Sequence, residues 1–246
     1  VDFPGAAPDR EQAADSGADV VSHLAEIQAA VNQAAERADR SPDGVRILLA
    51  TKTVSPDRIR HAFAAGYRLI GENRVQELLA KFDPLAGQPH ETHFIGHLQP
   101  NKINALVGRV DCIQTVDSPA LAARLQRRLE RLDSRLEVML QVNVSGEASK
   151  SGVSPPEAAR LFEDMAPFDR LTVRGLMTIG LNSPDRDAVR SGYAALRRLR
   201  DELRMRRPGS SDLVELSMGM SGDFAEAIAE GATMVRLGSA VFGART

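Results

Sequence analysis

From about position 20 onward, the apolar residues change spacing repeatedly. Val20, Leu24, Ile27 and Val31 recur every three to four positions and Ala38 follows two turns on, the stripe of an amphipathic opening helix. Short apolar runs follow at 45–51, 67–71, 92–95, 111–115, 136–142, 171–177, 213–216 and 233–237, each short enough for a buried strand. Helix-period stretches separate them, such as Leu121, Leu125, Leu129 and Leu132, or Val189, Tyr193, Leu196 and Leu203. Three helices announce their starts. Ser55-Pro56, Ser118-Pro119 and Ser154-Pro155 each place a capping hydroxyl before a proline that needs no hydrogen bond at the first helical position. Ser154 with Glu157 has the spacing of a capping box.

Eight strand–helix alternations in about 200 residues predict a single (β/α)8 TIM barrel, an α/β fold, with an extra N-terminal helix; an open doubly wound sheet is the rival. Residues 1–18 are rich in Pro, Gly, Ala and Asp and lack periodicity, which predicts a disordered tail ahead of a barrel spanning 19–246. In such a barrel, active sites gather at the carboxyl ends of the strands. The residues that follow the strand ends here are Lys52, Gly71-Glu72-Asn73, Gly96-His97-Leu98-Gln99, Asn143, Met177-Thr178, Ser217 to Ser221, and Gly238-Ser239. All are expected at one mouth.

Composition narrows the function. A net charge of -2 gives no global pull toward nucleic acid or anionic membranes. The arginines at 124, 127, 128, 131 and 135, and at 197, 198, 200, 204, 206 and 207, are interrupted by Glu130, Asp133, Asp201 and Glu202 and lack interleaved aromatics; they read as solvated helix faces. No apolar stretch approaches the roughly 20 residues that span a bilayer, and no secretory signal pattern opens the chain. The single cysteine, Cys112, excludes an internal disulfide framework, reads as core, and fits a cytoplasmic setting. His93 and His97 are four apart but flank a strand end without a completing carboxylate or cysteine, so no metal site is expected.

Two features carry chemistry. Lys52 ends the first apolar run, where a partly desolvated amine can attack an aldehyde; a lysine merely reaching solvent is the plainer reading. The second is Ser217-Met218-Gly219-Met220-Ser221-Gly222-Asp223, followed by Val235-Arg236-Leu237-Gly238-Ser239. Its glycines let backbone approach an anion, Ser221 adds a hydroxyl, Asp223 is placed to cap the next helix, and Arg236 with Gly238 and Ser239 can complete a phosphate cup. An amine and a phosphate cup at neighbouring strand ends suit an aldehyde that carries a phosphate, and pyridoxal phosphate (PLP) is such a ligand. A Schiff-base aldolase on a sugar phosphate has similar needs, although its lysine usually sits on a middle strand.

Several segments resemble the pyridoxal phosphate homeostasis proteins, also called the proline synthase co-transcribed family. They are Leu48-Leu49-Ala50-Thr51-Lys52-Thr53, Gly71-Glu72-Asn73-Arg74-Val75-Gln76-Glu77, His93-Phe94-Ile95-Gly96-His97-Leu98-Gln99-Pro100-Asn101-Lys102, Val142-Asn143-Val144, Ser149-Lys150-Ser151-Gly152, Gly175-Leu176-Met177-Thr178-Ile179, Ser217-Met218-Gly219-Met220-Ser221 and the string from Val235 to Gly243. The resemblance covers about residues 20 to 245. It implies the fold-type III barrel of the alanine racemase N-terminal domain, PLP as cofactor and Lys52 as its aldimine lysine. It implies further that Asn73, His97 and Met177 line the ring and that Ser217, Met218, Ser221, Arg236, Gly238 and Ser239 surround phosphate and ring. Whether Arg236 meets the phosphate or the pyridine nitrogen stays open.

The function implied is reversible holding of PLP in intracellular vitamin B6 homeostasis, without robust catalysis. PLP-dependent apo-enzymes are the expected recipients, and a monomer or weak dimer the expected assembly. The alternative is an amino-acid racemase-type enzyme. It would need an acid/base on the second face of the ring, for which Tyr67 and Tyr193 are poorly placed.

Overall fold

The computed structural model of the protein describes residues 17–147, 150–207 and 212–243. The expected tail lies outside these residues apart from Gly17 and Ala18, and Ala18 already opens the first helix. Eight parallel strands close on themselves in chain order: β1 (Arg46–Ala50), β2 (Leu69–Glu72), β3 (Glu91–Phe94), β4 (Cys112–Val116), β5 (Leu136–Gln141), β6 (Leu171–Met177), β7 (Glu215–Ser217) and β8 (Met234–Leu237). The seam pairs Ile47 with Val235, Leu48 with Arg236 and Leu49 with Leu237. That closure decides against the open sheet and brings the Lys52 end of the chain beside the Arg236 end.

Helices wrap the barrel: α1 (Ala18–Arg37), α2 (Pro56–Ala64), α3 (Val75–Leu85), α4 (Ile103–Leu106), α5 (Pro119–Arg131), α6 (Pro155–Asp164), α7 (Arg186–Arg206), α8 (Phe224–Ala229) and α9 (Ser239–Phe242). The predicted caps form. Ser55 Oγ accepts from Arg58 N–H and Ser118 Oγ from Leu121 N–H, while Glu157 Oε2 takes the Ser154 N–H at 2.8 Å to complete the capping box. The extra helix α1 buries Val20, Leu24, Ile27, Val31 and Ala35 and packs on α8 and α9. Ala35 rather than Ala38 ends its stripe, because the helix stops at Arg37. Arg40 then reaches back and donates to the carbonyls of Ile228 (2.6 Å) and Ala232 (2.8 Å), fixing α1 beside the carboxyl end of α8.

Side chains alternate in and out along each strand. Leu48, Leu69, Cys112, Met139, Met177 and Met234 fill the barrel, whereas Ile47, Leu49, Ile70, Phe94, Ile113, Val138, Leu140, Leu176, Leu216, Val235 and Leu237 pack with the helices. The bulk of the core therefore lies in the ring between sheet and helices. The barrel interior is thinner and more polar, with His93, Gln114, Ser217 and Arg236 buried inside it.

Candidate functional site

A cavity of about 830 Å³ opens at the carboxyl ends of the strands. It is built chiefly from the two ends of the chain that the seam joins. Lys52, Thr53, Val54 and Ser55 come from the turn after β1, Arg58 from α2, and Met220, Ser221 and Gly222 from the loop after β7. Arg236 comes from β8, and Gly238 and Ser239 from the start of α9. Asn73, Ile95, Met177 and Ile179 close the other sides. Among the described residues that line it are three cationic side chains, Lys52, Arg58 and Arg236, and no carboxylate.

The Lys52 turn is held tightly. Val54 N–H bonds back to Thr51 O at 3.0 Å, and Thr53 adopts φ 63°, a left-handed conformation costly for a β-branched residue. The strain is held by Glu77, which accepts the Thr53 N–H at 2.7 Å, and by Lys81, whose Nζ donates to Thr51 O at 2.6 Å. Lys81 also pairs with Glu72 Oε1 at 2.7 Å, and Thr51 Oγ1 donates to the same oxygen at 2.6 Å. Lys52 itself is half-buried, and among the described residues its ammonium makes no hydrogen bond or ion pair. The turn thus leaves this amine available to a ligand.

The opposite wall depends on two glycines. Gly219 has φ 93°, and a Cβ there would lie 2.6 Å from the Ala227 Cβ, so the loop after β7 folds onto α8 only without a side chain. A Cβ on Gly238 would stand 2.8 Å from Ala50 O, where the ends of β8 and β1 approach each other. Arg236 lies beneath this wall, 6% exposed, with Nη1 donating to Ser217 Oγ (2.9 Å) and Nη2 to Thr178 O (2.7 Å). Burial pulls its pKa down to about 10, which leaves it a cation at neutral pH.

The family model for the alanine racemase N-terminal domain matches residues 22–246. A pyridoxal phosphate homeostasis protein of Aquifex aeolicus is 42% identical over 222 residues, covering 90% of this chain and 96% of that one. Another from Pseudomonas aeruginosa is 41% identical over 226 residues, covering 92% and 96%. The chain belongs to the pyridoxal phosphate homeostasis family. A solved structure of a relative, PipY of Synechococcus elongatus with PLP bound, superposes with a TM-score of 0.81 at 34% identity, over 91% of this chain and all of that one.

The family strings do not all converge on the cavity. Of the expected site residues, Lys52, Asn73, Met177, Ser221, Arg236, Gly238 and Ser239 line it together. Ser217 lies one layer deeper, fully buried under Arg236, and Met218 points into the core between sheet and helices. His97 is outside the lining, its side chain 63% exposed and its Nδ1 3.9 Å from Asp117. Two further expectations change, for Glu72 and Asp223. Glu72 does not face the mouth: it shares the outer face of β2 with Ile70 and is buried against Lys81. His93 and His97 do flank the end of β3 at Phe94, with His93 in the strand and pointing into the barrel, 2% exposed. Asp223 makes no side-chain cap on α8, because its two oxygens take the Met220 N–H (2.6 Å) and the Tyr193 hydroxyl (2.7 Å).

Arg58 was not anticipated at the site. Its position three residues beyond the Ser55 cap, in the first turn after the Lys52 strand, is the signal that could have placed it there.

Proposed function

We propose that this cavity binds pyridoxal phosphate and that the protein holds and releases it in vitamin B6 homeostasis. The observation that carries the reading is the lining: among the described residues it has three cationic side chains, no carboxylate, and one of the cations is a lysine amine without a partner. A doubly charged phosphate suits such an enclosure electrostatically, and an aldehyde suits the amine. Lys52 is the residue that would hold the aldehyde carbon. Ser221, Gly238 and Ser239 would surround the phosphate, while Asn73 and Met177 would flank the ring. Arg236 would meet the ligand from below, supported by Ser217 and, through the loop, by Met218. His97 would act at the rim. When bound, PLP supplies an electrophilic carbon conjugated to an electron-withdrawing ring.

Carriage is favoured over racemase-type chemistry because neither tyrosine lines the cavity. Tyr193 donates to Asp223, and Tyr67 bonds to Gln28 and Leu24 O beneath α1. Racemisation needs a proton donor and acceptor on both faces of the ring. The recipients we infer are PLP-dependent apo-enzymes in the cytoplasm, served by a monomer or weak dimer. Among the described residues no helix is long and apolar enough to cross a membrane.

The deciding experiment is the absorption spectrum of purified protein with PLP before and after borohydride, with peptide mapping of the reduced adduct. An adduct on Lys52, absent from Lys52→Ala that still folds, is expected. An adduct elsewhere, or none, overturns the site. Transfer is read separately, by mixing loaded protein with an apo-enzyme and following the return of its activity against an equal amount of free PLP.

A further inference from the structure

A chain of hydrogen bonds runs through the barrel from the floor of the cavity to the amino-terminal end. Arg236 Nη1 lies 2.9 Å from Ser217 Oγ, which lies 2.6 Å from Gln114 Oε1. Gln114 Nε2 is 2.6 Å from His93 Nδ1, and His93 Nε2 is 2.6 Å from Glu91 Oε1. Glu91 in turn pairs with Arg46 at the amino-terminal mouth. The four residues from Arg236 to His93 are no more than 6% exposed, so each polar atom must find its partner within the chain.

Donor and acceptor roles then follow link by link. A guanidinium has only donors, so Ser217 Oγ accepts from Arg236. The one hydroxyl proton of Ser217 goes to Gln114, which must present its carbonyl oxygen. The Gln114 amide nitrogen therefore faces His93, and its second N–H reaches Met234 Sδ at 3.1 Å. His93 Nδ1 is left as an acceptor, and the ring proton sits on Nε2 facing the Glu91 carboxylate. A proton on Nδ1 would set two donors against each other in a buried site.

We propose that His93 and Gln114 are positioning residues for Arg236: they fix the direction of the chain, so that Ser217 always accepts from the guanidinium and the remaining N–H groups of Arg236 meet the ligand from one place. The inference rests on the cavity's reading as a PLP site. Without an acceptor at His93 Nδ1, Gln114 could turn over; the Ser217 hydroxyl proton would lose its acceptor, and Oγ would be shared between the Gln114 amide and Arg236 Nη1, which loosens the anchor of the guanidinium. Arg46 pairs with the same Glu91 carboxylate, so the far end of the chain is an acceptor.

The first arm of the test uses cofactor-free protein and side-chain 15N–1H correlation spectra of its histidines, with His93→Gln supplying the assignment. The expected signature for His93 is the neutral tautomer protonated at Nε2. Ser217→Ala contacts neither ring nitrogen yet cuts the chain, and should turn that signature into a mixture of tautomers. The second arm is a PLP titration followed by absorbance. His93→Leu should weaken binding roughly tenfold and shift the bound band, the scale of one lost hydrogen bond. His93→Gln, which still accepts and donates, should recover most of the loss. An imidazolium or Nδ1-protonated His93 in the wild type, an unchanged tautomer in Ser217→Ala, or full affinity in His93→Leu would each overturn the proposal. If the wild type takes up no PLP, the functional reading fails instead, and the tautomer arm still decides whether the chain from His93 to Arg236 runs in the one direction proposed.

Discussion

The Tyr193 hydroxyl donates to Asp223 Oδ2 at 2.7 Å, joining α7 to the loop that walls the cavity. The other oxygen of Asp223 accepts the Met220 N–H at 2.6 Å. One carboxylate thus holds the backbone beside Ser221 and Gly222, and a buried phenol holds the carboxylate. Burial, followed by the charge of Asp223, pushes the phenol pKa well up, so Tyr193 remains a donor and does not serve as a base. Tyr193→Phe leaves Asp223 short of a partner and should cost about 1–3 kcal/mol in stability. PLP affinity should fall with it, while the borohydride adduct still forms on Lys52. Calorimetry and titration read the two effects; unchanged affinity would show that the loop keeps its shape without the phenol.

Lys81 and Glu72 form a second support, under the Lys52 turn. Both are buried, and Glu72 Oε2 has no hydrogen-bond partner among the described residues. Burial outweighs the bonds from Lys81 and Thr51 and raises the Glu72 carboxyl above its ordinary pKa. Breaking such a pair is worse than replacing it. Lys81→Met should therefore destabilise by about 3–5 kcal/mol and strip Thr51 O of its ammonium donor, with loss of PLP uptake. The double variant Lys81→Met/Glu72→Leu should regain much of the stability and not the uptake, because Thr51 O then keeps only the Val54 N–H and no longer has the Lys81 ammonium to fix the turn. Denaturant unfolding beside PLP titration separates the two; uptake restored together with stability would remove the turn from the argument.

The barrel was legible because its signals are local. Eight runs of strand length, three Ser-Pro starts and a 3.6-residue stripe at Val20 to Val31 each lie within a few neighbouring residues, and each appears in the structure. Lys52 and the loop after β7 were legible as strand-end chemistry for the same reason. What stayed hidden depends on closure. Ser217 and Gln114 are 103 residues apart, and only the ring of strands points both inward at one level. Asp223 has the spacing of a helix cap, but a tyrosine 30 residues earlier in the chain takes its carboxylate. His93 was legible as a residue near the end of a strand, but its partner Gln114 lies 21 residues on and only closure sets the two face to face.

Gly238 tests the seam by volume alone. Its φ of -129° is open to any residue, so a substitution there meets no backbone strain of the left-handed kind. The obstacle is Ala50 O, 2.8 Å from where a Cβ would sit, with the Ala50 Cβ at 3.3 Å. Backbone on both sides cannot yield as a flexible side chain does. Gly238→Ala should push the ends of β1 and β8 apart, lower Tm by several degrees for a loss of about 1–3 kcal/mol, and weaken PLP uptake because Lys52 and Ser239 move with those ends. Gly222→Ala is the control: its Cβ would meet nothing within 4 Å, and its stability should stay near wild type. Equal stability for the two variants would mean that the seam is looser than the contact distances require.

Glu91 gives a prediction in acid. Its carboxyl is held from an ordinary 4.5 down to about 2, first by the hydrogen bond with His93 and further by Arg46. A depressed carboxylate contributes stability that is complete above the unfolded value and lost as pH falls through the folded one. The contribution of Glu91 should therefore be intact at neutral pH, begin to fade near pH 4.5, and be gone by about pH 2. Because a third of the side chain is exposed, solvent screens part of the effect. Glu91→Gln should be less stable than the wild type at neutral pH, and the two unfolding curves should converge on acidification across that window. Urea unfolding at a series of pH values checks both the sign and the window; a gap that persists at pH 2 would assign the stabilisation to packing of the side chain and not to its charge.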